Sequence, residues 1–481
     1  MSISLALSSA LSGLSVSTRG TQIVANNIAN AQTDAYAVRS LTQSSRVIGG
    51  LGNGVTVGDT IRHTDPGLLA ELRNAKAENQ LDRVHRSFWQ AVETQFGLPG
   101  EAGSLTQLLN TFEAALKEAS VTPDQPAVLL RVNHAAKDIV QKFNRLDELI
   151  SQERDKADAA IAHDISQLNE ALEGISTYNS EIQRQSLLGG EPSGLKDQRQ
   201  ALVDKVSELL PVREFPREDG RIMLLGGDGS ILVDRHATQF SFTRSIEPPT
   251  GNSVENGTLS LVSRDGRNII PDSDLFSAGQ IGANLKIRDQ SAPHVQNGLD
   301  RLAADLVQRF ASQDLDPSLT PGQAGLFSIS GHLDIPLDIE DFSGLIRLNP
   351  AIDTSIGGEL WRLRDGVAAT ELGSSADNRI LNSMIQALDQ LGTLDAAIGP
   401  AQSVHDHATE LLTQVTTERV RLEDAVTRSA ARSATLQETL ASRGVDTDAE
   451  LSRLLVLEQA YAANARVLAT VDSMLRTILE I

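Results

Sequence analysis

The stretch LSRLLVLEQAYAANARVLATVDSMLRTILEI, residues 451–481, closes the chain and decides how it is read. Steps of three and four residues pick out Leu454, Leu457, Tyr461, Asn464, Leu468, Val471, Leu475 and Ile478. That alternation places all eight side chains along one line of a helix, the seam of a coiled coil. Asn464 stands within the line, where a buried amide fixes register at some cost in stability. A helix with such a seam needs a second helix, and the other end of the chain offers one.

Residues 1–60 carry only five charged side chains, Arg19, Asp34, Arg39, Arg46 and Asp59. Ile3, Leu7, Leu11, Leu14, Val24 and Ile28 recur near the helical period, beside a face of small uncharged residues suited to packing against protein. The first eighteen residues have no basic n-region and carry serine at 2, 4, 8, 9, 12, 15 and 17, so neither a signal peptide nor a membrane span is expected. Glycines at 49–54 then mark a turn leading into a short strand. Amphipathic helices at both ends imply a chain folded back on itself, with its termini together.

Between the ends, helical patterns dominate up to about Leu210. The run from 127 to 182 keeps apolar spacing for longer than most globular helices, and reads as long antiparallel or coiled-coil helices. After Pro211, apolar and polar residues alternate between Asp-Gly and Gly-Gly pairs, the signature of β-hairpins. The expected architecture is mainly α with an inserted β-rich domain, elongated and multidomain, its N- and C-terminal helices paired as a coiled coil. Residues 1–60 with 440–481 form the terminal helical domain. Residues 61–210 with 272–330 and 372–439 form a long-helix domain, 211–271 a β-rich insert, and 331–371 a mixed β segment.

The formal net charge of −21 opposes contact with phosphate backbones or anionic lipid, so no nucleic-acid or membrane partner is expected. With no cysteine there are no disulfides, thiolate metal sites or thiol nucleophiles. His405 and His407 are two positions apart on a helical run, which aims them about 200° apart and keeps them from sharing one ion. The GGDGS at 226–230 lacks the lysine of a phosphate loop and reads as a hairpin turn. No catalytic constellation emerges, and neither enzyme activity nor a cofactor is expected.

ANNIANAQTDAY, residues 25–36, resembles the Asn-rich motif of bacterial flagellar axial proteins. GNGVTVGDTIRHTDPGLLAELRNA continues the resemblance, with Gly52, Gly54, Val55, Arg62, Asp65 and Arg73 in place, and the C-terminal helix is similar to theirs. GLKDQRQALVDKVSELLPV, GRIMLLGGDGSILVD and AGQIGANLKIRDQSAPHVQNGLDRLAADLV, in that order, resemble the hook-associated protein 1 (FlgK) family. One departure is Ala35, where that family usually has glycine before the aromatic.

The resemblance implies a structural protein of the hook–filament junction, exported unfolded through the flagellar type III apparatus without a cleaved signal. Its implied partners are further copies in a ring or helical layer, hook protein, hook-associated protein 3 and an export chaperone on the C-terminal helix. Axial packing is expected through Leu7, Leu11, Leu14, Val24, Asn26, Asn27, Ile28, Asn30 and Tyr36, together with the eight C-terminal seam residues. The asparagine amides can join subunits without burying a charge, or can cap and end the helix. Alternatives are another axial protein of hook or hook-associated protein 3 type, a cytosolic coiled-coil scaffold, or a cell-wall hydrolase on an axial scaffold.

Overall fold

The computed structural model describes residues 3–33, 35–48, 51–98, 100–245, 259–332, 342–392 and 402–479. It is an elongated, mainly helical chain. The first helix, α1 (Ile3–Ala29), packs antiparallel on the last, α12 (Thr447–Leu479). A Cβ on Gly13 would lie 2.6 Å from the Asn464 amide, and one on Gly20 3.0 Å from Leu457, two contacts that share a single register. The inward face of α1 is Ala10, Gly13, Ser17, Gly20, Val24 and Asn27, stepping by three and four. It is a seam of small residues, which lets the two backbones approach closely.

Strands β1 (Arg39–Ile48) and β2 (Leu51–Arg62) form a long antiparallel hairpin, where the glycine-rich stretch alone suggests one short strand. The first strand is rich in serine, threonine and glutamine, and its weak apolar alternation hides it. Gly54 has φ +84°, and a Cβ there would stand 2.1 Å from the Ser12 hydroxyl, so only glycine lets β2 lie on α1.

Asp65 caps α2 (Pro66–Phe96) by accepting from Leu68 N at 3.0 Å, and Pro66 follows at the first helical position. After α3 (Leu105–Val121) comes α4 (Pro126–Leu187), one unbroken helix of 62 residues where the sequence pattern suggests several. Its length is about 93 Å. Helix α5 (Ser193–Leu209) turns back along it, and the sheet of β3 (Val212–Pro216), β4 (Ile222–Gly226) and β5 (Ile231–Val233) follows. A smaller sheet joins β6 (Phe240–Ser241), β7 (Ser263–Arg264) and β8 (Arg267–Asn268).

Helices α6 (Gly279–Lys286) and α7 (Ala292–Phe310) are joined by a π turn over Ile287–Ser291. Strands β9 (Phe327–Ile329) and β10 (Ile346–Leu348) pair around the one-turn α8 (Phe342–Leu345). Short α9 (Arg362–Asp365) and α10 (Arg379–Asp389) then lead to α11 (Val404–Ser442), which lies along α2.

Two apolar cores are strung on α4. The first gathers Phe88, Phe112, Phe143, Phe310 and Phe327. The second gathers Ile165, Leu168, Leu172, Leu224, Leu232 and Phe276. Between them, fully buried, Asp158 accepts from Arg288 Nη1 at 2.8 Å, and Arg288 also binds Asp289 at 2.7 Å.

Helix α6 wedges between α2 and α4, and two buried titratable groups lie against it. His85 meets the Ala283 carbonyl at 3.2 Å, and burial, helped by Lys286, pushes its pKa down to about 4. Burial pushes Asp164 up to about 6. From pH 6.5 down towards 4 the unfolded chain protonates His85 and the folded chain does not, so stability falls as the medium acidifies. From pH 3.8 up towards 6 the unfolded chain ionises Asp164 first, so stability falls as pH rises. The two windows overlap and oppose. Asp164→Asn is therefore expected to raise stability by about 2 kcal/mol at pH 7 and by almost nothing at pH 4, read from urea unfolding at the two pH values.

Candidate assembly interface

The uncharged terminal pair and its joint with the body form the site. Of the C-terminal seam, Leu454, Leu457, Asn464 and Leu468 are half-buried and Val471 is buried against α1. Tyr461, Leu475 and Ile478 stand exposed, the last at 56%. On α1, Val24 is buried, Leu7, Leu14 and Ile28 are half-buried, and Leu11 is 50% exposed. A second apolar line runs down α12 through Val456, Val467, Met474 and Ile478, all exposed. Its steps of eleven, seven and four keep it on one face, beside the face that meets α1.

The three asparagines have different settings. Asn27 is fully buried, and its amide is used within its own chain. Nδ2 donates to Arg39 O at 2.9 Å, while Oδ1 accepts from Arg39 N at 3.1 Å and from the Tyr36 hydroxyl at 2.7 Å. Burial raises the Tyr36 pKa and keeps its hydroxyl a donor. Asn30 ends the helix, its Nδ2 donating to Asn26 O at 2.9 Å, and Asn26 itself is exposed. Asn464 donates to Ala460 O at 2.9 Å within α12. Ala35 is preceded by Asp34, which lies outside the described residues.

Five ion pairs in three groups lie at this joint. Asp197 of α5 binds both Arg39 and Arg62, the latter through Nε at 2.7 Å. Arg73 of α2 donates at 2.7 Å to Asp204 and at 2.7 Å to Glu214. Burial opposes its charge, but those two carboxylates outweigh burial and hold it firmly protonated. Arg443, at the turn between α11 and α12, pairs with Asp65. Beside these pairs lies a cavity of about 440 Å³ lined by Tyr36, Arg62, His63, Arg73, Gln200 and Arg443. The acidic partners Asp197, Asp204 and Glu214 were not legible in the sequence, because each lies more than a hundred residues from its arginine.

Among the described residues no group of three or more His, Asp or Glu is placed to hold a metal, and no helix is long and apolar enough to cross a membrane.

Residues 89–325 match the family described as flagellar hook-associated protein FlgK helical domain, and residues 436–481 match the flagellar basal body rod FlgEFG protein C-terminal family. A helical body and a terminal helix that each match a flagellar family mark a structural component of the bacterial flagellum. The chain belongs to the FlgK family of flagellar hook-associated proteins.

It is similar to flagellar hook-associated protein 1 of Salmonella typhimurium, with 26% identity over 312 residues that cover 63% of this chain and 55% of that protein. The match thus spans about half the length of that relative. Similarity to flagellar hook-associated protein 1 of Escherichia coli is 21% over 551 aligned positions, covering 99% of each chain. The solved flagellar hook junction protein FlgK of Burkholderia pseudomallei aligns with TM-score 0.46 and 18% identity, over 54% of this chain and 46% of that one.

Proposed function

We propose that the chain is a structural layer of the hook–filament junction, joined to further copies of itself in a ring or helical layer through α1 and α12. Hook protein lies on one side of that layer and hook-associated protein 3 on the other. The chain reaches this place outside the cell unfolded, through the flagellar type III apparatus, with an export chaperone on α12 beforehand, and it carries out no catalysis. The observation that carries the reading is the second apolar line of α12, Val456, Val467, Met474 and Ile478, exposed on a helix whose other face is already occupied by α1. An apolar line of that kind marks a contact with another protein surface.

The test mixes isolated hook polymers with the full chain, with a chain lacking residues 446–481, and with Val467→Lys/Met474→Lys, followed by sedimentation and imaging of the hook tips. The full chain is expected at one end of the hook only, and the truncated chain nowhere. The double substitution removes two apolar contacts while sparing the α1 seam, and is expected to weaken binding at least about tenfold, since the loss of 1.4 kcal/mol suffices for that. Equal binding by all three would overturn the reading.

A further inference from the structure

Arg39 and Arg62 are direct cross-strand partners at the open end of the β1–β2 hairpin. Two like charges facing each other across an antiparallel pair push the strands apart. Here a third group resolves the conflict. The Asp197 carboxylate accepts from both guanidinium groups, one on each oxygen, and all three side chains are at most 15% exposed. Asp197 stands on α5, in the body, so the two like charges at the hairpin base are neutralised by Asp197 only while the hairpin is docked there. The neighbouring carboxylate, Glu191, is already engaged by Ser193, whose N–H donates to it at 3.2 Å.

The same arginine reaches the terminal pair. The Arg39 guanidinium lies 4.8 Å from the centroid of the Tyr36 ring, a cation–π contact. The Tyr36 hydroxyl and the Arg39 backbone both bind the buried Asn27 amide of α1. A continuous chain of contacts therefore runs from α1 through Asn27, Tyr36 and Arg39 to Asp197 of the body, with Arg62 closing it. The cavity of about 440 Å³ beside it leaves room for the terminal pair to swing if the chain of contacts opens.

The geometry points to a clasp: Asn27, Tyr36, Arg39, Arg62 and Asp197 set the angle between the α1–α12 pair and the body, and Asn27 is the member of the Asn-rich motif that serves this internal coupling. These are positioning residues. Their bearing on assembly rests on the function proposed above, but the angle does not. Loss of the Asp197 charge leaves two enclosed guanidinium groups facing each other, so the hairpin base opens and the terminal pair is no longer fixed.

The chain has no cysteine, so Gln459→Cys on α12 and Glu173→Cys on α4 would be its only thiols. Spin labels on both, in the full-length protein, report the distance between terminal pair and body by double electron–electron resonance. Asp197→Asn is expected to broaden the distance distribution about twofold or shift it, with helical circular dichroism unchanged. Adding Arg62→Thr removes the like-charge pair and is expected to narrow the distribution again. Tyr36→Phe, which deletes one hydrogen bond and keeps the ring, should broaden it less, and Asp155→Asn, an exposed ion-pair partner of Arg244, not at all.

An unchanged distribution in Asp197→Asn would overturn the clasp, as would loss of the body's helical signal in that variant together with an unchanged distribution in Tyr36→Phe. The hook-sedimentation arm is separate. Broadening without hook binding by any form would sink the proposed function and leave the clasp standing. Hook binding by wild type with no broadening would do the reverse.

Discussion

Asp158→Ala is expected to destabilise the protein by about 3–5 kcal/mol, because it strands a buried guanidinium. Asp158 and Arg288 are both fully enclosed. The carboxylate accepts from Arg288 Nη1 at 2.8 Å and from Ser245 N at 2.8 Å, so truncation leaves a charge and a backbone donor without their acceptor. Asp289 still binds Arg288 at 2.7 and 3.1 Å, but burial also works against the Asp289 charge and raises its pKa. Arg154 compounds the cost by donating to the Arg288 carbonyl at 2.9 Å, which brings a second positive side chain close.

The informative comparison is Asp158→Leu combined with Arg288→Met and Asp289→Asn, which removes all three charges of the network and is expected to be milder than Asp158→Ala alone. Equilibrium urea unfolding, followed by circular dichroism and by the fluorescence of Trp89 and Trp361, reads both. A loss below about 1 kcal/mol for Asp158→Ala would mean that water or Asp289 compensates Arg288 in full. The network lies where the two cores meet on α4, so the two unfolding signals should also separate in the single variant.

Phe310→Ala should cost a similar amount, about 3–5 kcal/mol, by a different route. Phe310 ends α7 with no exposed surface. Its ring is 5.9 Å from that of Phe112 on α3 and 5.3 Å, edge-on, from that of Phe327 on β9. Truncation empties the point where three elements meet, and it deletes two aromatic contacts worth about 0.5–1.5 kcal/mol each beyond their area. The backbone at this point is closely packed as well: a Cβ on Gly325 would fall 1.7 Å from the Phe310 carbonyl oxygen. Phe310→Leu, which refills most of the volume, is expected to recover at least half of the loss. Thermal unfolding of the three proteins side by side checks the order.

The ends of the chain were the most legible part. The C-terminal seam was visible because large apolar residues mark the steps from Leu454 to Val471. Its partner face on α1 was not, because Ala10, Gly13, Ser17 and Gly20 pack by being small, and hydrophobic periodicity draws the eye to Leu7, Leu11 and Leu14 instead. Length also escaped: no proline or glycine cluster interrupts 126–187, yet a 62-residue helix lies beyond ordinary expectation. The buried Arg288 was unreadable for a different reason. A charged residue is assigned to the surface by default, and only tertiary contact with Asp158 shows otherwise. The Asn27 contacts fall between: the asparagine-rich stretch is plain in the sequence, but its partners Arg39 and Tyr36 come together only in the fold.

Helix α4 has a mechanical corollary. Because one continuous backbone passes through both cores, a load entering the body at one end reaches the other along helical hydrogen bonds, without crossing a linker. Bending such a member means deforming two packed interiors at once. In a rotating appendage this makes the body a strut, and confines compliance to the joint above it, where Asp197 grips two arginines.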